Sequence, residues 1–277
     1  MRAVLTLLAL VSALALAACG GADDQSSFDI STSEAAPEAQ VVLHAGQQTQ
    51  AVRSGRVSFE ASFRGGSTNG TMTGEGVFSQ RKFHLTMDLG DLAGLGGGEA
   101  EIVFENPVIY MKLPSGAAGQ LPPGKDWLKL DLGKLGEIQG LDLSQLLQLN
   151  QSDPSQALDF LQGASEDFHE IGSDEVRGEP ATHYRGTIDL QQVANEAPAE
   201  LRKQYERLFE LSGQKTVPMD VWIGDDGLVR KVAFTEQVPN GGSVLIEEEF
   251  YDFGTDAEVT VPPANEVLDI TALLGNS

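Results

Sequence analysis

The sequence predicts an α+β domain dominated by one antiparallel sheet, with about eleven strands and two helical inserts. Three observations carry this prediction. Alternation of apolar and polar residues with period two recurs from Arg56 to Phe253. The alternating runs follow one another across short turn-forming segments, as in a meander of hairpins. Helical spacing of apolar residues appears in only two internal stretches, around 143–163 and 196–211.

In chain order, Met1-Arg2 leads into an almost wholly apolar run, Val4 to Leu16, and then Ala17-Ala18-Cys19. A basic start, a short apolar run and small residues before a cut are the layout of a secretory signal. The run is shorter than the roughly 20 apolar residues that cross a bilayer. Cys19 is the only cysteine, and the small residues before it are similar to the lipobox of bacterial lipoproteins. On that reading residues 1–18 are removed and the Cys19 thiol takes a diacylglycerol. The new amine can take a further chain such as palmitate. One acyl chain holds a protein only marginally, at ~0.8 kcal/mol per buried methylene; two or three make a lasting anchor. The alternative is an ordinary secretory signal with an incidental cysteine.

Residues 20–40 are rich in Gly, Ala, Asp, Ser, Glu and Gln, with Phe28 and Ile30 as isolated large apolar residues. They read as a tether, and about 20 such residues reach roughly 25 Å. A single domain is expected from Val41 to the C-terminus, opening with a short helix over 41–52.

Val57, Phe59, Ala61 and Phe63 then alternate with polar residues. Met72, Gly74, Gly76 and Phe78 do the same, and so do Phe83, Leu85 and Met87. These predict three strands in a meander, with Gly65-Gly66 and Asn69-Gly70 in the first turn. The glycine-rich stretch 90–98 lacks the G-x-G-x-x-G spacing, because residue 99 is glutamate. Further strands are predicted over 101–105, 108–113 and 126–131. The first helical insert places Leu143, Leu146 and Leu147 on one face. It continues as a helix with Asp153 as N-cap, Pro154 at its first position and Gly163 past its end. Leu158 and Leu161 form its buried side. Strands follow over 167–176 and 182–190. In the second insert, Leu201, Tyr205, Leu208 and Phe209 form an apolar stripe closed by Gly213. Three strands, 216–223, 228–236 and 243–253, complete the sheet, the first two joined by Gly224-Asp225-Asp226-Gly227. An extended piece around Val261-Pro262-Pro263 and a short helix over 268–274 end the chain.

Charge narrows the function. There are 41 Asp+Glu against 18 Lys+Arg, a formal net charge of −23. Such a chain repels phosphate backbones, which excludes nucleic acid as an expected partner. No cofactor or metal motif stands out. His44, His84, His169 and His183 are scattered and lack the spacing of a helical metal pair. His183 reads as a structural hydrogen-bonding residue. Asp225-Asp226-Gly227 reads as hairpin chemistry and Glu247-Glu248-Glu249 as a solvated stretch of strand. No G-x-S-x-G elbow is present, and the chain reads as a non-enzyme.

Four segments carry a family resemblance: 126–131 (DWLKLD), 178–189 (GEPATHYRGTID), 218–230 (PMDVWIGDDGLVR) and 251–254 (YDFG) with 259–263 (VTVPP). In order and spacing the chain resembles the LppX/LprG family of actinobacterial lipoproteins, and more distantly the LolA/LolB carriers. The resemblance implies a strongly curved antiparallel half-barrel, closed by helices around an apolar cavity for lipid acyl chains. It also implies a role in moving lipids or lipoglycans outward from the membrane, on whose outer face the anchored chain would sit; a membrane transporter is a candidate partner.

The candidate lining is the apolar face of the first strands: Phe59, Phe63, Met72, Phe78, Phe83, Leu85 and Met87, extended by Ile102, Phe104 and Met111. Methionines suit an irregular apolar ligand. Gly74 and Gly76 share that face, and the expectation is that they leave room on its concave side. The alternative is a solid core in a lipid-tethered interaction or sensor domain that docks a membrane protein through its acidic surface.

Overall fold

The computed structural model describes residues 37–274, apart from 66–68, 80–81, 91–97, 106, 115–120, 132–133, 135–159, 197–201, 203–213, 239–241 and 256–258. Cys19, the tether up to residue 36 and most of both helical inserts lie outside the described residues.

The described strands are β1 (Ser54–Arg64), β2 (Gly70–Ser79), β3 (Lys82–Asp88), β4 (Glu99–Glu105), β5 (Val108–Lys112) and β6 (Trp127–Asp131). They continue with β7 (His169–Val176), β8 (Glu179–Asp189), β9 (Thr216–Gly224), β10 (Val229–Val238), β11 (Gly242–Tyr251) and β12 (Val267–Asp269). All twelve belong to one sheet, in the order β12-β6-β5-β4-β3-β2-β1-β11-β10-β9-β8-β7. Two meanders, β1–β6 and β7–β11, therefore lie side by side and meet where β1 pairs with β11. The sheet is open, with β12 at one edge and β7 at the other.

Three helices are described: α1 (Pro37–Gln50), α2 (Leu190–Glu196) and α3 (Ile270–Leu274). α1 starts four residues before the predicted helix, so 37–40 are helical and not tether. Pro37 suits a first helical position, where its missing N–H costs nothing, and Glu38 favours the positive helix end. Ala39, Val42, Ala45, Gly46 and Thr49 form its buried face. These small residues let the helix lie close on the sheet. Thr49 locks it there: its hydroxyl donates to the Ala45 carbonyl (2.7 Å) and accepts from the Val229 N–H (2.8 Å).

Three other expectations change. The second insert is already helical at Leu190–Glu196, before the predicted start at 196 and from the residue where the predicted strand ends. The Asp189 carboxylate accepts from the Gln191 and Gln192 N–H groups, an N-cap that stops β8 and starts α2. At the end of the first insert, Phe160–Gly163 is a 3-10 turn that keeps Leu161 buried. Near the C-terminus, Val267–Asp269 is a twelfth strand, parallel to β6, and the helix begins only at Ile270. Asp269 ends that strand by accepting from the Ala272 N–H and pairing with Lys129.

Two apolar clusters occupy the inner face. One joins β8–β11 and Val57 of β1 to α1, α2 and the 3-10 turn, and holds Phe168, Ile188, Val193, Val221, Val232 and Phe250. Its packing is close: Gly186 lies against the Phe168 ring, where an added Cβ would sit 2.5 Å from ring carbons. The other cluster spreads over β1–β6 and the start of β11. A small third cluster, Val103, Trp127 and Val259, shows the chain after β11 crossing the opposite face.

Candidate functional site

The inner face of β1–β6 assembles most of the predicted lining. Phe59, Met72, Leu85, Met87, Ile102, Phe104 and Met111 are buried in one cluster, with Phe63 and Phe83 packed against it. Strand register explains this. Phe59 lies opposite Gly74, Gly74 opposite Met87, Leu85 opposite Ile102, and Ile102 opposite Met111, so all share one face. Phe83 and Phe104 stack with ring centroids 5.4 Å apart. Phe78 is buried but stands apart from that cluster, its ring against Gly55.

The glycines do not leave the room expected of them. The Phe59 ring occupies the space that a Gly74 side chain would need. Leu85 and the His84 carbonyl occupy that beside Gly76. Small residues here let neighbouring strands and rings approach; they do not empty the face.

Two of the three described helices favour the other half of the sheet. α1 packs on β7, β9, β10 and the 3-10 turn, and α2 on β8 and the 3-10 turn. Over the β1–β6 face, among the described residues, coverage comes at the β6 edge from α3, Leu121, Leu268 and Ile270.

Glu248 interrupts this apolar interior. The sequence reads Glu247-Glu248-Glu249 as solvated, but alternation carries Glu248 inward with Val244, Ile246 and Phe250. It is 6% exposed. It lies opposite Phe59 on β1 and Val232 on β10. Its Oε2 has no hydrogen-bond partner among the described residues. Burial, and then the nearby Glu236 charge, push its pKa up to about 8. Burial also raises Glu236, on the same inner face of β10. Glu248 is thus an uncharged acid at neutral pH. The signal for it was in the sequence: parity with Val244 and Phe250 points it inward.

Its neighbours behave oppositely. On the outer face Glu247 pairs with Lys231 (2.6 Å) and Glu249 with Arg177 (2.8 Å). Arg177, at φ 53 in the β7–β8 turn, also donates to the Ser58 hydroxyl and lies 3.8 Å over the Tyr251 ring. The hairpin tip therefore reaches across the outer face and walls a polar groove of about 540 Å³, bordered by Glu60, Glu75, Asp88 and Glu99.

His183 and His84 make structural contacts. His183 bonds Asp220 (2.6 Å) and stacks on Trp222 (4.3 Å), whose indole N–H donates to Asp174. His84 meets Glu101, whose carboxyl is pushed up by burial but held low overall by Lys112 and His84. Asp226 accepts from the Leu228 N–H and pairs with Arg230, as the turn reading requires. Among the described residues no group of three or more His, Cys, Asp or Glu is placed to hold a metal. No described helix is long and apolar enough to cross a membrane.

The fold is similar to that of the mycobacterial lipoproteins LprF and LppX. LprF from Mycobacterium bovis is 14% identical, covering 81% of this chain and 96% of its own, with a TM-score of 0.47. LppX from Mycobacterium tuberculosis is 14% identical, covering 80% and 98%, with a TM-score of 0.48. In sequence, an uncharacterized 31.2 kDa protein from the rplA-rplJ intergenic region of Streptomyces griseus is 29% identical over 196 residues. That match covers 67% of this chain and 62% of the Streptomyces protein, less than two thirds of its length. No family model matches the chain.

Proposed function

We propose that this protein is a lipid-anchored envelope protein that binds acyl chains against the inner face of β1–β6 and helps transfer a lipid or lipoglycan. The observation that carries the reading is that face itself: phenylalanine, methionine and branched aliphatic side chains in register across β1–β6, with α1 and α2 packed elsewhere and α3 only at the β6 edge. Shielding alkyl chains from water drives such binding, at ~25 cal/mol per Å² buried, and no bond need be made or broken. Cys19, with its lipobox-like approach, would carry the anchor, and residues 20–36 the tether.

The test is native mass spectrometry of residues 20–277 made in a host that has an envelope. The expected spectrum shows lipid adducts released by organic extraction. One sharp ligand-free mass contradicts the reading. A second reading, a tethered domain that docks a membrane protein, is favoured by the acidic outer groove. Recovery of one membrane partner by a lipid-free domain, lost on reversing Glu60 and Glu75, supports it.

A further inference from the structure

Glu248 stands where the two inner clusters meet. On β11, Phe250 belongs to the helix-covered cluster, while Val244 belongs to the β1–β6 cluster. On β1 the same boundary falls between Val57 and Phe59. The carboxyl therefore lies at the end of the candidate acyl surface, beside Phe59 and Ile246. A protein that only needed a packed core would not keep a carboxyl oxygen here without a partner, because such burial is costly. The strand supplies cations to Glu247 and Glu249 on the outside, and no described cation reaches Glu248.

We propose that Glu248 is the polar anchor of the interior, hydrogen-bonding an uncharged oxygen group of the ligand, an ester carbonyl or hydroxyl, while the acyl chain lies toward Phe59 and Met87. This deepens the lipid-binding reading and rests on it. The class of ligand follows from the surroundings. Glu236 shares the inner face, so an anionic head group would meet two acids. A cationic head group would have to be desolvated together with an ionised Glu248, a cost that offsets much of the pair's attraction. A neutral ester or hydroxyl needs neither.

The experiment uses the full chain in amphipol and four probes of matched chain length: dioleoylglycerol, oleate, oleylamine and an unsubstituted C18 hydrocarbon. Wild type, Glu248→Gln and Glu248→Leu are compared. A single neutral hydrogen bond corresponds to about tenfold in affinity. The expected result is about tenfold weaker dioleoylglycerol binding by Glu248→Leu and near wild-type binding by Glu248→Gln. Hydrocarbon binding by Glu248→Leu should not fall below that of wild type, since leucine only adds apolar surface there. The carbonyl NMR line of ¹³C-ester-labelled dioleoylglycerol should shift on binding wild type and not on binding Glu248→Leu. Equal dioleoylglycerol binding by wild type and Glu248→Leu overturns the anchor and leaves the lipid reading standing. Preference for oleylamine, lost in Glu248→Gln, overturns it in favour of a cation site. Binding of no probe, hydrocarbon included, overturns the lipid reading and the anchor with it.

Discussion

The two halves of the sheet use glycine and aromatic residues alike but are finished differently. In β7–β11 the Phe168 ring packs on Gly186, Val193 on Gly163, and α1 seals the layer through Thr49. In β1–β6 the Phe59 ring packs on Gly74, yet α1 and α2 make their contacts elsewhere and α3 reaches only the β6 edge. The same local device thus serves a helix-sealed core in one half and, in the other, the apolar face proposed to take a ligand. At the seam, three successive glutamates show the cost of the arrangement: the outer two are paired and the inner one is not.

The largest expected effect is at that seam. Below its ordinary value of 4.5, Glu248 is protonated in both folded and unfolded chains. Between 4.5 and about 8 only the unfolded chain releases the proton, so this group lowers stability as pH rises. The loss amounts to at most about 5 kcal/mol. Glu248→Gln should remove that decline, gaining on wild type between pH 5 and pH 8 in urea unfolding. Parallel pH profiles for the two proteins would place Glu248 in water and dissolve the contrast.

Next, truncation should separate the halves. Phe168→Ala should cost about 3–5 kcal/mol, because its ring is clasped by Gly186 and cannot be replaced. Met87→Ala should fall near about 2 kcal/mol in lipid-free protein, the low end for a buried methionine. Equal costs in denaturant melts would mean that both halves are solid cores.

Smaller effects test the seal and the outer surface. Thr49→Val leaves the buried Val229 N–H without its acceptor and should cost about 1–3 kcal/mol, raising amide exchange at Val229. Arg185→Ala breaks an exposed pair with Asp220 and should cost no more than about 1 kcal/mol, less in high salt. A larger loss would make the outer ladder a structural element in its own right.

Much of this fold was legible in the sequence, because period two is clear on β1–β3 and parity alone assigns Phe59, Met72, Leu85 and Met87 to one face. The errors have physical causes. Glu248 was missed because three adjacent glutamates read as solvated, although alternation must turn one of them inward. The start of α2 was missed because Asp189 ends a strand and caps a helix at one position. β12 was missed because a three-residue strand is defined by β6 beside it and not by its own pattern. The room expected at Gly74 failed because a ring from the next strand, remote in pattern but opposite in register, fills it.

The most direct measurement is a crystal structure of the protein grown with a bromine-labelled C18 acyl ester. The account predicts an anomalous bromine peak over the inner face of β1–β6, near Met72, Met87 and Phe104, with the ester oxygen beside Glu248. Side chains meeting across that face at full density, with no bromine peak there, would contradict it.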